Sequence, residues 1–138
     1  MRTFENFLGR VLSDNLGKLI LRLTLGILML FHGYNKYVTG INGIQGLVSK
    51  NGFPEFLAYG VYVGEIIIPI LIIIGLYTRI SSFIFAFTMG FAIYLAHSSH
   101  IFDLGRSGGL VIETPLLFML GAIALMCLGA GRYSVDQK

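Results

Sequence analysis

The stretch that decides the fold runs from Arg22 to Lys36 and reads RLTLGILMLFHGYNK. It is mostly apolar, as in a helix that crosses a membrane, yet it carries three basic or titratable side chains. Arg22, Met29 and Lys36 are spaced seven residues apart. His32 precedes Lys36 by one turn, so all four share one helical face. Ionisable residues at membrane depth are costly and usually face the interior of a bundle, so this stripe predicts partner helices and a site between them.

The composition places the whole chain in the membrane class. Its 138 residues are 55% hydrophobic and 12% charged, and a soluble domain of this length could not bury so much apolar surface. Four windows reach the roughly 20 residues that a membrane span requires, namely 17–38, 57–77, 79–98 and 112–131. They fill the chain, so we expect one domain over residues 1–138, an all-α integral membrane four-helix antiparallel bundle.

The segments between the spans suggest how the bundle is finished. Residues 2–12 have apolar side chains at helical spacing, which predicts a short amphipathic helix on the membrane surface. The glycine-containing segment 39–56 predicts a loop with a short helix around 44–50 that covers the mouth of the bundle. Pro69 follows Glu65 by four residues and cannot donate to its carbonyl, so an irregular turn is expected there.

Basic residues predict the orientation. Seven lie at one end of the predicted bundle: Arg2, Arg10, Lys18, Arg22, Arg79, Arg132 and Lys138. Three lie at the other: Lys36, Lys50 and Arg106. By the positive-inside rule, both termini and the turn at 77–79 are cytoplasmic.

The same basic residues flank helices and do not form a basic patch, so no nucleic-acid partner is expected. The single cysteine, Cys127, allows no intramolecular disulfide.

With that topology, the unusual polar residues fall in the outer half of the bundle, and each span supplies at least one. They are His32 and Lys36 in the first span, Glu65 in the second, His97 ending the third and Glu113 opening the fourth. Glu65 lies well inside its span and must be protonated or paired, with Lys36 or His32 as its partner. Arg22 lies near the cytoplasmic end, where we expect it to reach the interface.

Two chemistries suit these residues. His, Glu and Lys side chains can hydrogen-bond a quinone or similar small redox ligand and exchange protons with it, which makes the five residues a candidate ligand site. The alternative is a transition-metal site, for which the candidate ligands are His32, Glu65, His97 and Glu113. Each residue also has an ordinary structural explanation, such as solvation at the interface for His97 or an acidic helix start for Glu113.

Several short motifs occur in a recognisable order. They are His32-Gly-Tyr-Asn-Lys36, Gly-Phe-Pro54, Glu65, Gly75-Leu-Tyr-Thr-Arg79, Glu113 and Gly129-Ala-Gly-Arg-Tyr-Ser-Val-Asp136. In this order and spacing the chain resembles, over nearly its whole length, the DoxX family of small four-helix bacterial and archaeal membrane proteins. The family is named after a subunit associated with a thiosulfate:quinone oxidoreductase, and other members occur beside redox, thiol-stress and metal-handling proteins. The resemblance marks His32, Lys36, Glu65 and Glu113 as matched positions.

Three functions are therefore open. The first is a redox-associated subunit of a bacterial or archaeal inner membrane, in which an outward-facing His/Glu pocket binds quinone, as part of a quinone-linked oxidoreductase. The second is a membrane protein that binds or handles a transition metal. The third is a non-catalytic membrane anchor for a partner enzyme, in which Gly60 and Gly64, a GxxxG pair, lie at a subunit interface. The expected partners are the lipid bilayer and a redox or metal-handling protein, and a homo-oligomer is also open.

Overall fold

The computed structural model describes residues 1–97, 102–105 and 108–136, and these fold into helices joined by turns. The α-helices are α1 (Arg2–Val11), α2 (Asp14–Thr39), α3 (Asn42–Lys50), α4 (Gly60–Tyr62), α5 (Ile68–Ile74), α6 (Thr78–His97) and α7 (Glu113–Leu128). No strand is present in the described ranges, although Leu104 and Leu110 form an isolated β-bridge. The predicted all-α class is confirmed.

Within the described residues, three helices are long and apolar enough to cross a membrane: Asp14–Thr39, Glu55–Ile74 and Thr78–Leu95. The fourth predicted span corresponds to α7, an apolar helix of 16 residues. It is shorter than predicted because the backbone at Gly129 takes a positive φ of 82° and ends the helix. The order of the four apolar helices matches the predicted bundle.

The two shorter predicted helices are present as well. α1 has no buried residue, as expected of a helix lying on a surface. α2 then begins at Ser13, whose hydroxyl accepts a hydrogen bond from the backbone N–H of Leu16 at 3.2 Å. This is a side-chain cap on an otherwise unpaired donor. α3 covers the predicted helix at 44–50 and starts two residues earlier.

The second apolar helix, which we call the composite helix, is irregular where the sequence predicts it. It begins as a 3₁₀ turn over Glu55–Tyr59, continues as α4, widens to a π-turn over Val63–Ile67 and ends as α5. Pro69 cannot donate the N–H that a regular helix would send back to Glu65. The wide turn instead closes from the N–H of Ile68 to the carbonyl of Val63. Such turns are common at functional sites.

The helices enclose one main apolar core. It consists of Leu25, Met29, Ile68, Ile72, Phe85, Ala86, Met89, Phe118, Ala122 and Leu125. A smaller cluster of Ile41, Val48 and Ala58 fixes α3 against the start of the composite helix. α3 is thereby held over one end of the bundle.

Arg22 closes the opposite end, and here the sequence expectation was wrong. Its side chain does not reach out to the interface but is 1% exposed. It donates to the carbonyls of Ile72 at 3.0 Å and Ile73 at 2.6 Å, and to those of Ala130 at 3.3 Å and Tyr133 at 2.8 Å. The guanidinium fits because its planar donors can meet carbonyls on several sides at once. We call this region the Arg22 end.

The chain after α7 completes the Arg22 end. Residues 129–136 cross to the α5–α6 turn, where the backbone N–H of Val135 donates to the Ile74 carbonyl at 3.0 Å. The Asp136 carboxylate accepts from the backbone N–H groups of Tyr77 at 3.0 Å and Thr78 at 2.9 Å, where α6 begins. Gly75 ends α5 with a φ of 74°, a left-handed conformation that favours glycine. The start of α2 lies here as well, because the Asn15 side chain accepts a hydrogen bond from the backbone N–H of Arg132 at 3.0 Å.

Candidate functional site

A cavity of about 550 Å³ lies at the end of the bundle opposite Arg22, between α3, the composite helix and α6. Its lining consists of Lys36, Ile44, Leu47, Val48, Phe53, Leu57, Gly60, Glu65, Phe87, Thr88, Met89, Phe91, Ala92 and Leu95. Most of these side chains are apolar, and Lys36, Glu65 and Thr88 supply the polar atoms. Small-molecule sites in proteins have this size and this balance of apolar walls and a few polar groups.

Lys36 and Glu65 form an ion pair in this cavity. The Lys36 ammonium lies 2.7 Å from both carboxylate oxygens of Glu65. The Glu65 side chain is 6% exposed and that of Lys36 is 31% exposed, so the pair has a buried side and an open side. Of the two predicted alternatives for Glu65, protonated or paired, the structure shows the paired one, and the partner is Lys36. The ammonium has a third N–H, and the carboxylate oxygens have further lone pairs, so both groups can still bond a ligand.

Backbone geometry brings the two charged side chains together. Glu65 lies in the π-turn, and Gly33 of α2 packs directly against the Glu65 backbone. A Cβ atom at Gly33 would collide with the Glu65 carbonyl oxygen. The missing side chain therefore lets α2 approach the composite helix one turn before Lys36.

The structure places His32 outside this cavity. His32 is exposed and its ring meets Phe118 of α7 edge to face, with the ring centres 5.9 Å apart at 88°. It precedes the buried Gly33 by one residue, which is about 100° around the helix. The predicted common face therefore divides, because Gly33 and Lys36 turn toward the composite helix while His32 turns toward α7.

Two further predicted residues also lie apart from the pair. Glu113 is exposed at the start of α7, where its carboxylate lies beside Gly109. His97 is the last residue of α6, and its side chain lies outside the described part of the structure. In the described part, no three His, Cys, Asp or Glu side chains come close enough to hold a metal ion. Of the five predicted site residues, the structure brings Lys36 and Glu65 together.

The aromatic wall of the cavity was missed by the sequence reasoning. Phe91 stacks on Phe87, with ring centres 6.3 Å apart and an interplanar angle of 4°. Phe91 also meets Phe53 edge to face at 5.6 Å. The signal was the repeat of phenylalanine at every fourth residue of α6, at 83, 87 and 91, which aligns the rings along one helical face.

The two glycines of the GxxxG pair, Gly60 and Gly64, have different surroundings. Gly64 is buried against Thr88 of α6, and a Cβ atom there would lie 2.6 Å from the Thr88 hydroxyl oxygen. Gly60 has no neighbour within 4 Å of such an atom and lines the cavity instead. Gly64 therefore packs within this chain.

The sequence of this chain is similar to those of several known proteins. The model of the DoxX family matches residues 17–98. A Bacillus subtilis protein named "Putative oxidoreductase CatD" is 37% identical over 124 residues, covering 90% of this chain and 87% of that protein. An uncharacterised Haemophilus influenzae protein is 30% identical over 122 residues, covering 86% of this chain and 87% of that protein. The Escherichia coli inner membrane protein YqjF is 28% identical over 124 residues, covering 90% and 92%. No solved structure matches the chain.

Proposed function

Since the chain belongs to the DoxX family of membrane proteins, we propose that it is a redox-associated subunit of the bacterial inner membrane. Its cavity binds the ring of a quinone, and a partner oxidoreductase supplies the electrons that the quinone accepts. One observation carries this proposal. A cavity of about 550 Å³ with apolar and aromatic walls holds the Lys36–Glu65 ion pair, and both side chains can form further hydrogen bonds.

The chemistry of a quinone ring matches these walls. Its two carbonyl oxygens accept hydrogen bonds, and the Lys36 ammonium is a charged donor. The hydroxyl groups of the reduced form donate, and the Glu65 carboxylate is a charged acceptor. The flat ring can stack on Phe91 as aromatic rings do. One pair of side chains can thus bond both the oxidised and the reduced form of the ligand.

The relatives support the setting of this proposal. One is named as a putative oxidoreductase and another as an inner membrane protein. The excess of basic residues at the Arg22 end supports a cytoplasmic position for that end and for both termini. The cavity would then open toward the outer side, where a partner could dock over α3.

Quinone binding can be measured directly. The protein is placed in lipid nanodiscs, and saturable binding of a short-chain benzoquinone is recorded after subtraction of the uptake by empty discs. Lys36→Met should weaken binding about tenfold or more, because the charged donor to the carbonyl is lost. Lys50→Met, at the exposed end of α3, is the matched control and should bind normally. His32→Ala should also bind normally, because His32 does not line the cavity.

Two results would refute the proposal. One is an absence of saturable binding by the unmodified protein above that of empty discs. The other is equal affinity in the unmodified protein and in a folded Lys36→Met variant. Loss of binding in His32→Ala alone would instead place the ligand at the α2–α7 surface beside Phe118.

A further inference from the structure

A second hollow lies on the outside of the bundle, between α6 and α7. This groove has a volume of about 430 Å³. It is lined by Phe83, Ala86, Phe87, Gly90, Phe91, Met119, Ile123 and Met126. None of these described lining residues carries a charge or a hydroxyl group. Phe83 and Phe87 are 58% and 66% exposed, so the groove faces the surroundings of the bundle, which for a membrane protein are lipid.

The groove lies next to the cavity. Phe87 and Phe91 line both, and their stacked rings form the boundary between the two spaces. From Phe91 the groove follows α6 back to Phe83, over about 12 Å toward the Arg22 end. It thus starts beside the cavity and runs along this part of α6.

We propose that the groove binds the isoprenoid tail of the quinone whose ring lies in the cavity. This inference rests on the function proposed above and extends it to the class of ligand, a membrane quinone with a ring and a branched hydrocarbon chain. A ring bonded to Lys36 and Glu65 would project its chain past Phe87 into the groove. The chain would then run along α6, among the phenylalanine and methionine side chains.

The apolar side chains of the groove suit a branched hydrocarbon chain, and they determine how much the tail should raise the affinity for quinone. Methionine adapts its shape to irregular apolar ligands, and the phenylalanine rings offer flat faces to methyl branches. Lipid is as apolar as the groove, so transfer of the tail from lipid gains little from the hydrophobic effect and depends on packing. We therefore expect a tail to tighten binding by about fivefold, a modest change that corresponds to a few good contacts.

Gly90 offers a way to fill the groove without disturbing the cavity. A Cβ atom at Gly90 would meet one neighbour within 4 Å, the Met119 sulfur at 3.5 Å, which is ordinary contact. Gly90→Leu should therefore project a side chain into the groove. Ile123→Phe fills the same space from the α7 wall and tests the idea independently. Gly17→Leu is the control for a bulky residue in place of an exposed helical glycine, because Gly17 has no neighbour within 4 Å.

The experiment compares benzoquinones with no tail and with two isoprene units, bound to nanodisc samples after subtraction of empty discs. The unmodified protein and Gly17→Leu should bind the tailed compound about fivefold more tightly. Gly90→Leu and Ile123→Phe should abolish that difference while the tailless compound binds as before.

Each other outcome overturns the inference in a distinguishable way. Equal affinity for both compounds in the unmodified protein, or a difference that survives both groove variants, removes the tail site and leaves the quinone cavity standing. No binding of either compound removes both proposals. A change of oligomeric state in Gly90→Leu would assign the groove to a second copy of the chain. A phospholipid that native mass spectrometry shows bound and that the tailed quinone does not displace would assign it to lipid.

Discussion

The two ends of the bundle each bury a cationic side chain, and they treat it in opposite ways. At the Arg22 end, one guanidinium makes four hydrogen bonds to backbone carbonyls and is 1% exposed. At the cavity end, one ammonium makes a single ion pair to Glu65, and its side chain stays 31% exposed beside about 550 Å³ of cavity. Arg22 and Lys36 lie on the same helix, about 21 Å apart along its axis.

The contrast separates a structural charge from a functional one. The four hydrogen bonds of Arg22 join α2 to other segments of the chain, and Arg22 lines neither the cavity nor the groove described above. Lys36 and Glu65 point into a cavity and keep unused donors and lone pairs there. Burial of a charge in a membrane protein is a reason to suspect a site, and the bonding capacity that remains is what decides between the two roles.

The largest effect should follow removal of the Arg22 guanidinium. Arg22→Met removes the side-chain donor from the carbonyls of Ile73, Ala130 and Tyr133, and a buried carbonyl left unpaired costs about 1–3 kcal/mol. We expect a loss of about 4 kcal/mol in unfolding free energy, measured by denaturation in detergent and followed by circular dichroism. Arg22→Lys should restore little of it, because an ammonium cannot meet carbonyls on several sides.

Arg10→Met on the exposed helix α1 is the matched control and should unfold as the unmodified protein does. If Arg22→Met were as stable as Arg10→Met, the distinction between the two ends would be lost.

The next effect concerns the ion pair and is best seen in a double-mutant cycle. Lys36→Met leaves the Glu65 carboxylate buried without its partner, which we expect to cost about 2 kcal/mol, less than for a fully buried pair because Lys36 is partly exposed. Adding Glu65→Gln to Lys36→Met removes the stranded charge and should recover most of that loss. The double variant should still bind quinone about tenfold or more weakly than the unmodified protein, so stability recovers while binding does not.

A cycle with no coupling between the two substitutions would show that the pair does not form. Binding that returns in the double variant would show that the pair has a structural role alone, like that of Arg22.

A third test compares two glycines of α2 that each pack closely against the composite helix, one near the cavity and one nearer the Arg22 end. Gly33 packs on the Glu65 backbone, and seven residues earlier Gly26 packs on Pro69 and Ile73. Alanine at either position should cost about 1–3 kcal/mol through overpacking. Gly33→Ala should also weaken quinone binding, because it pushes Lys36 and Glu65 apart, whereas Gly26→Ala should leave binding intact. Equal binding losses in the two variants would mean that general destabilisation explains both.

The sequence predicted those features that depend on local pattern. Hydropathy and helical periodicity predicted the four apolar helices, α1 and α3, and Pro69 predicted the irregular turn next to Glu65. The depth of Glu65 in its span predicted that it is either protonated or paired, and the structure shows the pair with Lys36. These predictions succeeded because each depends on residues within a few turns of one another.

The remaining features depend on distant segments and could not be predicted in the same way. Arg22 was misjudged because two of its acceptors, at Ala130 and Tyr133, belong to a segment more than 100 residues later. Helical spacing predicted one common face for His32 and Lys36, but the neighbour of each side chain depends on how α2 packs between the composite helix and α7. The cavity lies between α3, the composite helix and α6, so it depends on how these three helices pack. The periodicity of one helix cannot predict a space that three helices enclose.

The smallest effect should come from Asp136, at the Arg22 end. Asp136 caps α6 by accepting from the N–H groups of Tyr77 and Thr78. Asp136→Ala leaves these donors unpaired and should lower the unfolding free energy by about 1 kcal/mol. The cavity lies at the other end of the bundle, so quinone affinity in nanodiscs should stay unchanged. A fall in affinity of the folded variant would show that the two ends are coupled through α6, and that the Arg22 end helps to hold the Phe87–Phe91 wall in place.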